Sequence, residues 1–172
     1  MSGASCLVSL DVEWAITLPP VGRGAATPGY HGRYLRVDLT RRTAESVEIP
    51  SRVLREYIGG NGLGTWLLLQ ETPVRPAERP GVASPGPEQC DAFAAERPIV
   101  ICFSPLVGTP LTTSAKFALL AKSPLTERIN DALSSSSFAI SGKKTGFDAF
   151  VIRGAADSPV CLVIEPERLR VI

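Results

Sequence analysis

The side chains best suited to metal or redox chemistry are the four cysteines and the single histidine. The closest two cysteines, Cys90 and Cys102, are 12 positions apart, whereas zinc and iron–sulfur loops space their cysteines only a few residues apart. Cys102 and Cys161 lie in apolar runs typical of buried, unreactive thiols. His31 belongs to no visible triad, which favours a surface or packed histidine over a catalytic base. The sequence therefore predicts neither a zinc or iron–sulfur loop nor a catalytic triad.

Residues that could hold an anion are more numerous. The glycine-rich stretch from Gly59 to Gly64 opens an apolar segment, and it suits a ligand-binding turn and a plain helix–helix turn equally well. The serines from Ser134 to Ser137 could cradle a phosphate through successive N–H groups, although a run of serines is more often a polar loop. Lys143 and Lys144 stand near a predicted helix end, where they complement the helix dipole.

Composition limits the function classes. A chain of 172 residues is long enough for one domain with a real core. Eighteen basic and seventeen acidic side chains give a formal charge of +1, so no broad surface for nucleic acid or an anionic membrane is expected. The apolar runs are far shorter than the roughly 20 residues of a membrane helix. Residues 1–28 lack the basic start of a secretory signal, and we expect a cytoplasmic protein.

The pattern along the chain predicts an α+β fold dominated by strands, mostly antiparallel, with a few short helices. Residues 1–28 read as a flexible lead-in, with folding beginning near Gly29. The proline-rich stretch 72–98 is predicted as a long surface loop. The predicted elements are a hairpin over 33–49, helices over 51–58, 65–70 and 138–145, strands over 99–103 and 116–122, a strand pair formed by 149–152 and 160–164, and a last strand from 168 with an open edge.

Five stretches in one order resemble the aldehyde ferredoxin oxidoreductase family, specifically the first part of its N-terminal domain. They are Gly32-Arg33-Tyr34-Leu35-Arg36-Val37-Asp38-Leu39, Gly59-Gly60-Asn61-Gly62-Leu63-Gly64, Ser104-Pro105-Leu106-Val107-Gly108-Thr109, Lys122-Ser123-Pro124-Leu125-Thr126 and Gly146-Phe147-Asp148-Ala149-Phe150-Val151-Ile152-Arg153-Gly154. Each stretch is weak evidence by itself. Five in register, spread over residues 29–172, indicate kinship with this partial domain.

The resemblance implies a platform for a tungsten (or molybdenum) bis-pterin cofactor with magnesium. Enzymes of this family oxidise aldehydes to carboxylates and pass electrons to ferredoxin through a [4Fe–4S] cluster, whose cysteine ligands this chain lacks. The resemblance further implies that activity needs the remaining domains, supplied by further chain or by a partner chain. The alternative is a non-catalytic remnant or interaction module without cofactor.

Site residues follow from the resemblance by position. Lys116 stands where the family usually has an arginine that pairs with a pterin phosphate, and lysine keeps the charge but loses the two-pronged contact. Leu133, Ser134 and Ser135 match a glycine-containing turn that presents backbone groups to the cofactor, with the Leu133 carbonyl as a ligand to magnesium. Glu127 replaces a usual glycine. Gly60 and Gly62 complete the set of cofactor-binding residues that the resemblance implies.

Overall fold

The computed structural model describes residues 13–19, 28–73 and 91–172, and these ranges contain both sheets and helices, which confirms the α+β class. The strands are β1 (Trp14–Thr17), β2 (Arg33–Asp38), β3 (Thr43–Glu48), β4 (Ile99–Phe103), β5 (Lys116–Lys122), β6 (Ile129–Ser135), β7 (Ala149–Arg153), β8 (Leu162–Ile164) and β9 (Arg168–Val171). The helices are α1 (Ser51–Glu56), α2 (Gly59–Glu71) and α3 (Ser137–Lys144). None of the helices in these ranges has the length and apolar character needed to span a bilayer.

The larger sheet has six strands in the order β3-β2-β7-β4-β5-β6. Its neighbouring strands are antiparallel except for β2 and β7, which run parallel. The predicted pairing of the strand at 149–152 with the strand at 160–164 is wrong, because β7 lies between β2 and β4 while β8 pairs with β9. The continuous apolar run of β7 explains this position, since Ala149, Phe150 and Val151 are buried and need neighbours on both faces.

One face of the six-stranded sheet is covered by α1 and α2. Leu63 and Leu67 of α2 are fully buried against Val100 of β4 and Ala118 of β5. The helix begins six residues earlier than the predicted 65–70 segment, because Gly60 adopts φ 53° and ψ −126° and joins a short glycine turn to the helix across a kink. This arrangement brings the start of α2 to the β4–β5–β6 side of the sheet.

The other face of the sheet packs against α3 and a second sheet of three strands in the order β1-β9-β8. Phe103 and Phe150 meet edge to face with ring centroids 5.1 Å apart, and Leu169 of β9 joins the same apolar cluster. The core therefore has two apolar layers, one on each face of the six-stranded sheet.

The chain enters the fold earlier than the sequence predicts, because β1 lies within the expected lead-in of residues 1–28 and pairs with β9. The open edge expected at the last strand is absent for the same reason: β9 is paired with β1 on one side and β8 on the other. Most of the predicted loop at 72–98, including Cys90, lies outside the described residues.

Candidate functional site

Four of the six residues that the resemblance assigns to a cofactor lie at one end of the β5–β6 hairpin. Lys116 is the first residue of β5 and lies opposite Ser135, with Ser134 and Leu133 next along β6. Side chains alternate between the two faces of a strand. One face of the hairpin, on which Leu120 packs against α2, therefore carries Lys116, Leu133 and Ser135. Ser134 points to the opposite face.

Backbone pairing determines which groups of β6 are used within the sheet. The Ser136 N–H donates at 3.2 Å to the carbonyl of Ala115, the residue opposite it. In an antiparallel ladder, bonded and non-bonded pairs alternate, so the next pair, Lys116 and Ser135, does not form hydrogen bonds with each other. Alternation from this point directs the backbone groups of Leu133 and Ser135 away from β5, toward the outer edge of the sheet. Those of Ser134 bond to β5. The structure thus has a strand end where the resemblance implies a turn, yet the Leu133 carbonyl still faces outward.

The other two predicted residues, Gly60 and Gly62, lie in the first turn of α2. A Cβ built on Gly60 would meet no atom within 4 Å, so the backbone at this kink is open to a ligand. The Asn61 side chain donates from Nδ2 to Asp131 Oδ2 at 2.6 Å and joins this turn to β6. We call the surface formed by Lys116, Leu133, Ser135 and residues 59–62 the hairpin–helix site.

The first turn of α2 is held in place by Tyr30. The Tyr30 hydroxyl accepts a hydrogen bond of 2.9 Å from the Gly59 N–H. Burial is the main cause that raises the pKa of Tyr30, and the Lys143 ammonium lies 5.3 Å from the centre of its ring. Gly59 itself fits tightly, because a Cβ there would come within 2.4 Å of Pro105 Cδ. These contacts fix where the helix begins.

Behind Tyr30 lies a buried ionic cluster centred on Asp148, whose side chain has no exposed surface. Asp148 accepts hydrogen bonds from the backbone N–H groups of His31 at 3.0 Å and Gly32 at 2.7 Å, and from Lys143 Nζ at 2.5 Å. A buried carboxylate is stable only when it is paired and hydrogen-bonded in this way. The cluster joins the residue before β7, the end of α3 and the segment before β2, and no periodic pattern in the sequence predicts it.

His31 is part of this cluster, and its ring packs against the end of α3. Its Nε2–H donates to the Lys143 carbonyl at 2.9 Å, which fixes the tautomer. Burial, the largest cause, together with the charges of Lys143 and Arg33, outweighs the attraction of Asp148 and lowers the pKa of His31. The ring is half-buried and hydrogen-bonded, so of the surface and packed positions considered from the sequence, the structure has the packed one.

We expect Tyr30→Phe to loosen the start of α2 without unfolding the sheet. The variant leaves the Gly59 N–H without its acceptor, a loss worth about 1 kcal/mol of unfolding free energy. Urea unfolding together with amide hydrogen exchange at Gly59 would measure it. Tyr57→Phe is the matched control, because that ring is 40% exposed. Unchanged exchange at Gly59 in Tyr30→Phe would contradict this assignment.

The residues that stand where the family usually has glycine differ in backbone conformation. Glu127 has φ 56°, a conformation that L side chains rarely adopt, in the turn where its N–H donates to the Ser123 carbonyl. Ser136, by contrast, is extended at φ −167° and caps α3 by accepting from the Phe138 N–H. Positive φ is absent from Ser134, Ser135 and Ser136, so serine is unstrained at these three positions.

Within the described ranges, no group of three or more histidine, cysteine or acidic side chains is placed to hold a metal. Cys102 is fully buried beside the first turn of α2, and burial is the main cause that raises the pKa of its thiol to about 12. Cys161 is exposed and unpaired. Neither of these two thiols lies in a group of side chains placed to hold a metal.

Comparison with known proteins gives a consistent assignment. A sequence model described as "Aldehyde ferredoxin oxidoreductase, N-terminal domain" matches residues 34–172. The chain is 32% identical over 143 residues to a tungsten-containing aldehyde ferredoxin oxidoreductase of Pyrococcus abyssi, and 32% identical over 142 residues to an aliphatic sulfonate oxidoreductase, WOR-like subunit, of Pyrococcus furiosus. Each alignment covers 83% of this chain and 21% of the relative.

A solved structure shares the fold. It is the active site complex BamBC of benzoyl coenzyme A reductase in complex with 1,5-dienoyl-CoA, and the match has a TM-score of 0.70 at 24% identity. It covers 83% of this chain and 20% of that chain. The chain therefore spans about a fifth of the length of the relatives it matches.

Proposed function

The chain belongs to the aldehyde ferredoxin oxidoreductase family through the N-terminal domain of those enzymes, and we propose that it is the cofactor-binding part of a tungsten or molybdenum bis-pterin oxidoreductase. The observation that carries the proposal is the hairpin–helix site. Lys116, Leu133 and Ser135 lie side by side on one face, and α2 brings the open backbone of Gly60 to the same face.

The groups of the hairpin–helix site fit a phosphate-bearing, magnesium-bridged cofactor. Lys116 supplies a positive charge for a phosphate, as a point charge rather than a planar fork. The outward carbonyl of Leu133 is an oxygen ligand of the kind that magnesium prefers. Backbone N–H groups at Ser135 and in the first turn of α2 are donors for further anionic oxygens.

When bound, the metal–dithiolene group supplies the redox chemistry, and the protein supplies orientation and charge neutralisation. The side chains and backbone groups of this chain contribute only the second part in our proposal. Two relatives named for different substrates, aldehydes and aliphatic sulfonates, are equally similar to this chain. We infer that the matched domain serves a common cofactor and that the substrate is selected elsewhere.

Aldehyde oxidation to carboxylate, with ferredoxin as electron acceptor, is the reaction we propose for the complete enzyme. The chain spans about a fifth of its relatives, and we propose that further domains or a partner chain provide the substrate pocket and the [4Fe–4S] cluster. The described residues offer no set of cysteines for that cluster.

Elemental analysis of the chain purified from its own host would test this function. Tungsten or molybdenum together with pterin phosphorus, and a cysteine-rich partner identified by mass, is the expected result. A metal-free single chain would overturn the proposal and leave the alternative, a non-catalytic remnant or interaction module. The specific observation behind that alternative is the pair Ser135 and Ser136, which stand where the resemblance places two glycines that allow close approach of the backbone to a ligand.

Lys116→Glu should lower the affinity of the chain for pyrophosphate, a probe of the phosphate contact, by about tenfold or more, because it places a negative charge where a charge-assisted bond is proposed. Lys116→Arg should match or exceed the wild type, since arginine restores the two-pronged contact. Titration calorimetry would measure both. Lys144→Glu makes the same charge change on the exposed end of α3 and serves as the control. Equal losses in Lys116→Glu and Lys144→Glu would show that only net charge matters.

A further inference from the structure

The three-stranded sheet contains a strand from outside the family match. The matched region covers residues 34–172, whereas β1 lies at Trp14–Thr17. The order β1-β9-β8 places β1 on the outer side of β9. Among the described residues of the matched region, no strand occupies that side of β9. In the described part of the chain, the side of β9 away from β8 is therefore filled by a strand that lies before the matched region.

The contacts of β1 have the two features of a bound strand. Backbone bonds run along its length, from the Glu13 N–H to the Val171 carbonyl at 2.9 Å and from the Leu18 N–H to the Glu167 carbonyl at 2.8 Å. Alternate side chains point inward: Leu18 is 2% exposed, and Trp14 packs against the same apolar cluster. Main-chain bonds give such a strand its affinity, and alternate side-chain positions give it specificity.

We propose that the outer edge of β9 is a strand-binding site for an extended segment with apolar side chains at alternate positions, and that residues 13–18 fill it in cis. An edge with unpaired N–H and C=O groups beside an apolar surface is a template for another strand. Filling the site from the same chain protects that edge. This inference is independent of the cofactor assignment, because it concerns the other sheet.

Because hydrogen-bonded and non-bonded pairs alternate along β1 and β9, proline at two neighbouring positions of β1 should have opposite effects. Leu18 is hydrogen-bonded to Glu167, the residue opposite it, so the next pair, Thr17 and Arg168, is not bonded. The pair after that is bonded again, so the Ile16 N–H donates to β9. The Ala15 N–H points away from β9 instead. Ile16→Pro removes a ladder bond and should release β1, whereas Ala15→Pro removes none and should leave β1 in place.

A fluorescent peptide of residues 12–19 would then be titrated into the full chain and both variants. We expect Ile16→Pro to bind the peptide at least tenfold more tightly than the wild type and Ala15→Pro, in which β1 competes. A peptide carrying Ile16→Lys should bind poorly. If Ile16→Pro does not fold, Leu18→Ala, which keeps the ladder bonds and removes the inward side chain, replaces it under the same criterion.

Dimerisation of Ile16→Pro through the peptide-binding edge is not expected, because its own β1 is disrupted. Peptide binding that is absent from a folded Ile16→Pro or Leu18→Ala variant would overturn the proposal. Equal binding by wild type, Ala15→Pro and Ile16→Pro would overturn it too, since the peptide would then be bound at some other place.

Discussion

Asp148→Ala will lower the free energy of unfolding by about 3–5 kcal/mol, the range typical of breaking a buried ion pair by removing one partner. Asp148 has no exposed surface, and its carboxylate accepts from Lys143 and from two backbone N–H groups. Alanine would leave the Lys143 ammonium, itself only 10% exposed, without its counter-ion. Urea unfolding at pH 7, followed by circular dichroism, measures the change.

The control for this variant is Asp157→Ala. Asp157 also forms an ion pair, at 3.8 Å to Arg42, but its side chain is completely exposed. Surface pairs of this kind contribute little, so the control should unfold like the wild type. A second variant, Asp148→Asn, keeps the shape and part of the hydrogen bonding and should lie between the two. If Asp148→Ala and Asp157→Ala unfolded alike, the buried cluster would have no special role in stability.

Local periodicity predicted much of the secondary structure because it depends on neighbours in sequence. The β2–β3 hairpin, β4, β5 and α3 each carry an alternating or apolar signal of their own, and all are present. Sheet order depends on distant partners, and β7 was misassigned for that reason. β6 has apolar residues only at Ile129, Ala132 and Leu133, which do not alternate with polar ones, and all of its residues are exposed.

The two halves of the candidate site, the β5–β6 hairpin and the start of α2, also depend on contacts over different distances in the sequence. The turn Ser123-Pro124-Leu125-Thr126 joins β5 to β6, and once these two strands are paired, Lys116 must lie near Ser135. Because β6 was not predicted, the resemblance and not local periodicity indicated the hairpin half of the site. The link from Tyr30 to Gly59, by contrast, spans 29 positions and follows from how α2 packs on the sheet.

A second ionic cluster lies at the far end of α2, and sequence patterns did not indicate it either. Glu71, with a side chain only 5% exposed, accepts from Arg36 Nη2 at 2.6 Å and from the Tyr34 hydroxyl. Arg153 approaches the same carboxylate at 3.8 Å and Asp38 at 3.2 Å. Since Arg36 and Arg153 lie on the parallel strands β2 and β7, the cluster secures α2 to the centre of the sheet.

Glu71→Gln will lower the free energy of unfolding at pH 7 by about 2–4 kcal/mol, because it weakens charge-assisted bonds to a nearly buried group. Burial opposes ionisation of Glu71, but the hydrogen bonds from Arg36 and Tyr34, with the charges of Arg36 and Arg153, outweigh it and lower the pKa of Glu71 below 4.5. A lowered pKa in the folded state means that the stabilisation is complete above pH 4.5. It is lost as the pH falls from 4.5 through the folded-state pKa.

The difference between the wild type and Glu71→Gln should accordingly be constant from pH 7 to about 5 and shrink below pH 4.5. Urea unfolding of both proteins at a series of pH values isolates the contribution of Glu71 to the free energy of unfolding, because the other carboxylates titrate in both proteins. Glu45→Gln is the matched control: it also pairs with Arg36, at 3.0 Å, but its side chain is 60% exposed. A difference that persists unchanged at the lowest pH would show that Glu71 stabilises the fold by packing and not by its charge.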